Sequence, residues 1–212
     1  EVIIRQSKLS ILVLMINKSS LQIFFKKILK IADNNYEDFN SLDGQLGDGD
    51  LGITISKGLK EINANTDKFE NDLGKIFMIC AQCFTKASSS SFGTLVAISF
   101  MTAAKELKGK DEIDIKDLPE ILNKIIEAVC KRGKSQIGDK TFIDTLNEIV
   151  ISIENNENNY AQNVHKATLN ALDNFKGKEC KIGRARMFAE KSKDLNDPGM
   201  YAISKLSSVF VE

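Results

Sequence analysis

Proline is nearly missing from this chain: Pro119 and Pro198 are the only two in 212 residues, so few positions forbid a helix outright. Strand punctuation is just as scarce, because no alternating apolar and polar runs are joined by Asn-Gly or Asp-Gly turns. Ala, Ile, Leu, Lys and Asn dominate instead, a composition that suits helices better than a sheet. An excess of charge is missing too, with 29 Lys plus Arg against 29 Asp plus Glu. No global field therefore draws the chain to nucleic acid or to an acidic membrane, and any phosphate binding has to be local.

Cysteine is sparse. Cys80, Cys83, Cys130 and Cys180 form no dense framework and no cleavable leader pattern precedes them, so a reducing cytoplasm is the expected compartment. Cys80-x-x-Cys83 lies in an apolar helical run without a second pair at zinc spacing, and both are expected as small core residues. Histidine occurs once, and His165 has no partner acid or nucleophile nearby in sequence, so it is given no role beyond an edge side chain. Long apolar runs are also lacking: the first stretch ends in Ile11-Leu12-Val13-Leu14, too short to span a bilayer. Met15-Ile16-Asn17-Lys18-Ser19 reads as an ordinary start, which leaves residues 1–14 as a non-native or flexible arm before a single domain over 15–212.

What the chain does have is helical periodicity. Leu21, Phe24, Phe25, Ile28, Leu29 and Ile31 recur at helical spacing behind a Ser19 or Ser20 cap. Further helices are expected over about 53–64, 69–86, 95–107, 114–133, 142–153, 160–175 and 201–211. Eight helices with short connections predict an all-α fold, an up-and-down assembly rather than a nucleotide-binding α/β sheet.

The stretch Leu42-Asp43-Gly44-Gln45-Leu46-Gly47-Asp48-Gly49-Asp50-Leu51-Gly52 interrupts this pattern. Asp43, Asp48 and Asp50 are hard oxygen donors gathered by glycines that let the backbone bend sharply, a composition suited to a hard divalent ion and, before a helix, to a magnesium nucleotide site. The plainer alternative is a polar turn in which Asp48 or Asp50 only caps the next helix. The glutamate that would close an EF-hand loop is absent, and no G-x-x-x-x-G-K-S/T phosphate loop occurs anywhere. Ala87-Ser88-Ser89-Ser90-Ser91-Phe92-Gly93-Thr94 places hydroxyls and backbone N–H groups at another helix start, a ready anion site.

Four separated segments together resemble one family, the L subunit (ADP-binding, C-terminal kinase-type domain) of dihydroxyacetone kinases. They are Leu42-Asp43 with Gly47-Asp48-Gly49-Asp50-x-Gly52, Ala87-Ser88 with Phe92-Gly93-Thr94, Gly138-Asp139-Lys140-Thr141, and Lys181-x-Gly183-Arg184-Ala185 with Asp197-Pro198-Gly199. The resemblance implies a closed antiparallel barrel of about eight helices, with ADP or ATP and two magnesium ions held at one end. By it, Asp43, Asp48 and Asp50 would ligate magnesium, and Ser88, Ser89 and the amides near Gly93 and Thr94 would contact phosphate. Thr141 and Phe142 would border the adenine or ribose, and Arg184 with Asp197, Pro198 and Gly199 would close over the nucleotide. No catalytic group is expected beyond this metal and nucleotide site.

The implied partners are a separate K subunit that holds dihydroxyacetone and a phosphohistidine-carrying phosphotransferase subunit, with no nucleic acid and no membrane. The alternatives are an ATP-dependent kinase subunit for another ketose or polyol, and a non-catalytic regulatory nucleotide-binding module. Three departures from the family pattern stand out: Leu51 where relatives often carry His or Cys, the run Ser88 to Ser91 in place of a Ser-Gly-Pro-Leu turn, and Arg186 after Gly-Arg-Ala.

Overall fold

A computed structural model describes residues 15–212, and the expectation for residues 1–14 lies outside the described residues. The first helix, α1 (Lys18–Asn34), starts at Asn17 rather than at Ser19 or Ser20: Asn17 Oδ1 accepts from the Ser20 amide at 3.0 Å while Ser20 Oγ accepts from the Asn17 amide at 2.9 Å. Ser20 is thus the reciprocal partner of the cap rather than the cap itself.

The remaining helices are α2 (Tyr36–Leu46), α3 (Leu51–Asn63), α4 (Leu73–Ala87), α5 (Ser91–Glu106), α6 (Leu118–Gly133), α7 (Phe142–Glu154), α8 (Tyr160–Asn174), α9 (Ala189–Lys193) and α10 (Pro198–Leu206). Two short strands, Met15–Asn17 and Glu112–Asp114, pair antiparallel with Ile16 opposite Ile113, which ties the start of the described chain to the approach of α6.

The eight helices expected from periodicity are α1, α3 to α8 and α10. They form a ring in which each packs on the next, and α10 closes it by packing on α7, α8, α1 and α2. Their apolar stripes point inward, and Phe25, Ile62, Leu73, Ile76, Val129, Ile143 and Ala202 are almost wholly buried. The interior also holds an apolar cavity of about 450 Å³ whose lining includes Phe24, Phe77, Phe84, Phe92 and Phe142 and no carboxylate.

Two helices lie outside the expectation. α9 is only five residues long. The other, α2, carries Asp43, Gly44 and Gln45 near its end, residues that read as a turn. Burial of Phe39 and Leu46, at 0% and 1% exposure, holds it helical against that composition. Residues 69–72 precede α4 rather than belonging to it, and a short 3₁₀ turn, Thr66–Lys68, stands in front of them.

Candidate functional site

Because α2 continues to Leu46, Asp43 sits on its last turn rather than in a loop. The chain then reverses through Gly47-Asp48-Gly49-Asp50, where Gly49 takes φ = 75°, a left-handed conformation that favours glycine. Asp43 Oδ2 accepts the Asp50 amide at 2.9 Å, which fixes one carboxylate against the backbone of the other. The first amides of α3 are satisfied from α2: Asn40 Oδ1 accepts from Gly52 at 2.8 Å and from Ile53 at 3.3 Å. Asp50 occupies the N-cap position yet makes no capping bond with its side chain. Asn40 thus does the capping that the plainer reading gave to Asp50, and leaves the Asp50 carboxylate free of it.

One carboxylate oxygen each from Asp43, Asp48 and Asp50 lie within 4.8 Å of one another. Burial, joined by the charges of Asp48 and Asp50, pushes the Asp43 carboxyl above its ordinary range, against the opposing Asp50 amide. Burial and Asp48 do the same to Asp50, opposed by the Arg184 guanidinium. Arg184, the first residue of the 3₁₀ turn Arg184–Phe188, forms an ion pair with Asp48. Three mutually repelling carboxylates on a fixed backbone are a donor set that a hard divalent cation fits.

The serine turn sits beside α3 through Thr54, one turn after Asp50. Thr54 is 1% exposed, and its hydroxyl lies 3.0 Å from both Ser88 Oγ and Ser90 Oγ. Ser88 Oγ accepts the Ser90 amide at 3.0 Å, and Ser90 Oγ caps α5 by accepting the Gly93 amide at 3.0 Å. The Thr94 amide and hydroxyl both donate to the Ser90 carbonyl at 3.0 Å. The amides of Gly93 and Thr94 are therefore occupied, and the helix start offers those of Ser91 and Phe92 to an anion. Ser89 is exposed beside them.

In the third segment Asp144 accepts the Gly138 amide at 2.6 Å and the Thr141 amide at 2.7 Å, while the Thr141 hydroxyl caps α7. Phe142 is buried, its ring edge-on to Phe92 with centroids 5.6 Å apart, so the second and third segments meet. In the fourth, Asp197 Oδ1 accepts the Met200 amide at 2.9 Å, and Pro198 and Gly199 open α10 as buried residues. Burial pushes the Asp197 carboxyl up to about 7, against the Met200 and Gly199 amides that favour its ionised form. The third and fourth segments are joined by Lys140, whose Nζ donates to the carbonyls of Lys178, Ser192 and Leu195.

A family model for the DAK2 domain matches residues 45–212, most of the chain. The chain belongs to the DAK2 domain family. This DAK2-family chain is 30% identical over 176 residues to the ADP-binding subunit DhaL of PEP-dependent dihydroxyacetone kinase 1 from Listeria innocua, covering 82% of itself and 86% of that protein. It is 28% identical over 189 residues to the ADP-binding subunit DhaL of the PTS-dependent dihydroxyacetone kinase from Lactococcus lactis, covering 86% of itself and 90% of that protein. The solved dihydroxyacetone kinase from C. freundii, in complex with AMP-PNP and Mg2+, shares its fold with a TM-score of 0.70 at 22% identity. That match takes in 89% of this chain and 32% of the solved one, so the DAK2-family chain spans about a third of that kinase.

Several residues of the candidate site carry no motif signal. Asn40 and Asp144 act through backbone amides across a turn, and Thr54 reaches Ser88 and Ser90 from 34 and 36 residues away. Thr54 lies four residues after Asp50, one helical turn, which is the only signal that could have found it. Leu51 is 4% exposed in the main core, so its departure from the family pattern is spent on packing. Arg186 is exposed. His165 is half-buried, with Nδ1 2.8 Å from the Oγ of buried Ser207. Among the described residues no helix is long and apolar enough to cross a membrane.

Proposed function

We propose that this chain is the ADP/Mg-binding L subunit of a dihydroxyacetone kinase, passing a phosphoryl group from a phosphohistidine-carrying phosphotransferase partner to dihydroxyacetone held on a separate K subunit. The single observation that carries this reading is the cluster of Asp43, Asp48 and Asp50 within 4.8 Å beside Arg184. The naming of similar subunits from Listeria innocua and Lactococcus lactis as ADP-binding supports it.

In this reading the three aspartates hold magnesium, two ions being the expected number. Ser88 and Ser89, with the amides at the start of α5, take phosphate oxygens, Thr141 and Phe142 border the nucleoside, and Arg184 with Asp197, Pro198 and Gly199 closes over it. The metal supplies positive charge against the phosphate oxygens, and the nucleotide supplies the phosphoryl-carrying group. The residues contribute position and charge rather than covalent chemistry, which is what a loose, metaphosphate-like transition state requires. Arg184 adds a cation where negative charge spreads over the transferring group. The four unpaired cysteines suit the cytoplasm, where such partners would be met.

The test is turnover in a reconstituted mixture of this chain, K subunit, phosphotransfer proteins, phosphoenolpyruvate and dihydroxyacetone. Formation of dihydroxyacetone phosphate with phosphoenolpyruvate as donor is expected. Turnover with ATP alone would replace the relay by the ATP-dependent mode, and tight ADP binding without turnover in either mixture would make the chain a regulatory module.

A further inference from the structure

Lys140 stands just ahead of a helix in the Gly138-Asp139-Lys140-Thr141 turn, where a lysine of a nucleotide site would be expected to reach for phosphate. Its side chain goes elsewhere. Lys140 is 2% exposed, and its Nζ donates to the carbonyl oxygens of Lys178 at 2.8 Å, Ser192 at 2.6 Å and Leu195 at 2.8 Å. An ammonium has three N–H donors, so none is left for a ligand. The three donors of an ammonium diverge from a single nitrogen, which suits one side chain reaching three carbonyls.

All three acceptors belong to one segment, residues 176–197, which links α8 to α10 and carries both Arg184 and Asp197. This segment has little structure of its own, only the five-residue 3₁₀ turn and the five-residue α9, and a small apolar cluster of Cys180, Ala185 and Leu195 with Leu46. Its ties to the rest of the chain also include the Lys181 amide to the Asp139 carbonyl at 3.1 Å, the Lys191 ammonium to the Gln45 carbonyl at 3.1 Å and the Arg184–Asp48 ion pair, while the Gly177 amide to the Lys193 carbonyl at 3.1 Å and the Cys180 amide to Ser192 Oγ at 2.9 Å are internal to it. Among these, Lys140 Nζ is the one atom that holds the segment at three places. Burial pushes the Lys140 ammonium below the ordinary lysine range, opposed only in part by Cys180, Asp197 and Asp194.

We propose that Lys140 is a positioning residue of the nucleotide site: its ammonium gathers the carbonyls of Lys178, Ser192 and Leu195 and so sets the segment that presents Arg184 to Asp48 and to the nucleotide phosphates. The inference rests on the reading of the site as one for a magnesium-bound nucleotide, and it makes Lys140 act through Arg184 without touching the ligand.

The experiment uses the full chain with Lys140→Met, Lys140→Ala, Arg184→Ala and the Lys140→Met/Arg184→Ala double variant. Calorimetry gives ADP affinity in magnesium, and hydrogen exchange follows residues 176–197 with and without ligand. Lys140→Met is expected to weaken ADP roughly ten- to hundredfold, the scale of one charged hydrogen-bonding group lost. The double variant is expected to be no weaker than Arg184→Ala, and exchange is expected to rise across 176–197 even without ligand. Ethylammonium should restore affinity to Lys140→Ala, and ethanol should not.

Wild-type affinity and unchanged exchange in Lys140→Met would overturn the proposal, as would additive losses in the double variant. Should the variants not fold, the wild type labelled with 15N at lysine decides: one exchange-protected ammonium that keeps its shift when ADP binds supports positioning, and a shift or phosphorus coupling on binding refutes it. A wild type that binds no ADP would defeat the functional reading alone, since the exchange of 176–197 in Lys140→Met still tests the clamp.

Discussion

Replacing Asp50 by Asn should make the ligand-free protein more stable and the ligand-bound protein less stable than the wild type. The three carboxylates lie within 4.8 Å of one another. At that separation each pair of unit charges repels by about 0.9 kcal/mol even with the dielectric constant of water, and Asp50 belongs to two of the three pairs, so Asn removes about 1.7 kcal/mol of repulsion. Against this, a carboxylate at the start of α3 is favoured by the helix dipole by about 0.5 kcal/mol, and the attraction of Asp50 to Arg184 is lost as well. A net gain of about 1 kcal/mol raises the melting temperature of a chain this size by about 2–4 °C. With magnesium and ADP at about 100 times the dissociation constant, the wild type gains about 2.7 kcal/mol from binding, and the variant forgoes most of it. Melting followed by circular dichroism at pH 8, once in EDTA and once in magnesium with ADP, should therefore show the two proteins exchange rank. An Asp50→Asn protein that melts lower in EDTA, or that keeps the full ligand-induced shift, would refute the metal-ligand assignment.

Two further substitutions test the scaffold around this loop. In Gly52→Ala the new methyl would run into the Tyr36 carbonyl and lie 2.8 Å from Asn40 Oδ1, forcing α3 away from α2. Urea unfolding should show a loss of about 1–3 kcal/mol, the usual cost of overpacking, with ADP affinity falling alongside; full affinity in a stable variant would contradict the described approach of the two helices. Asp197 tests the effect of burial on charge. Its folded value of about 7 exceeds the unfolded value of about 3.9, so the folded state holds this proton longer, and the stability it contributes is complete below about pH 4 and is lost as pH rises to 7. Asp197→Asn keeps an oxygen for the Met200 amide and cannot ionise, so its stability relative to wild type should climb from pH 4 to 7 and then level off in urea titrations without ligand. Parallel profiles would show that Asp197 titrates normally.

The ring was legible in the sequence because each of its eight helices carries a stripe at 3.6-residue spacing, and the stripe depends only on neighbours within the helix. α2 was not, because Asp43, Gly44 and Gln45 favour a turn locally and only the burial of Phe39 and Leu46 against distant parts of the chain overrides them. The same division runs through the site. Asp43, Asp48 and Asp50 fall in one short stretch whose composition already pointed to an oxygen-loving ion. Setting aside Asp50 as the cap needed Asn40, since it takes the amides that Asp50 would otherwise have capped. Thr54 and Lys140 were illegible for a related reason: their partners lie at least 34 residues away, and only the closed ring brings them together.

The central claim is that these segments form one magnesium-dependent nucleotide site, and calorimetric titration of ADP into protein stripped of bound nucleotide tests it most directly. Run once in magnesium and once in EDTA, it should give one site per chain in magnesium and an affinity weaker by roughly tenfold or more in EDTA. Equal affinity in both buffers, or no binding in magnesium, would contradict the account.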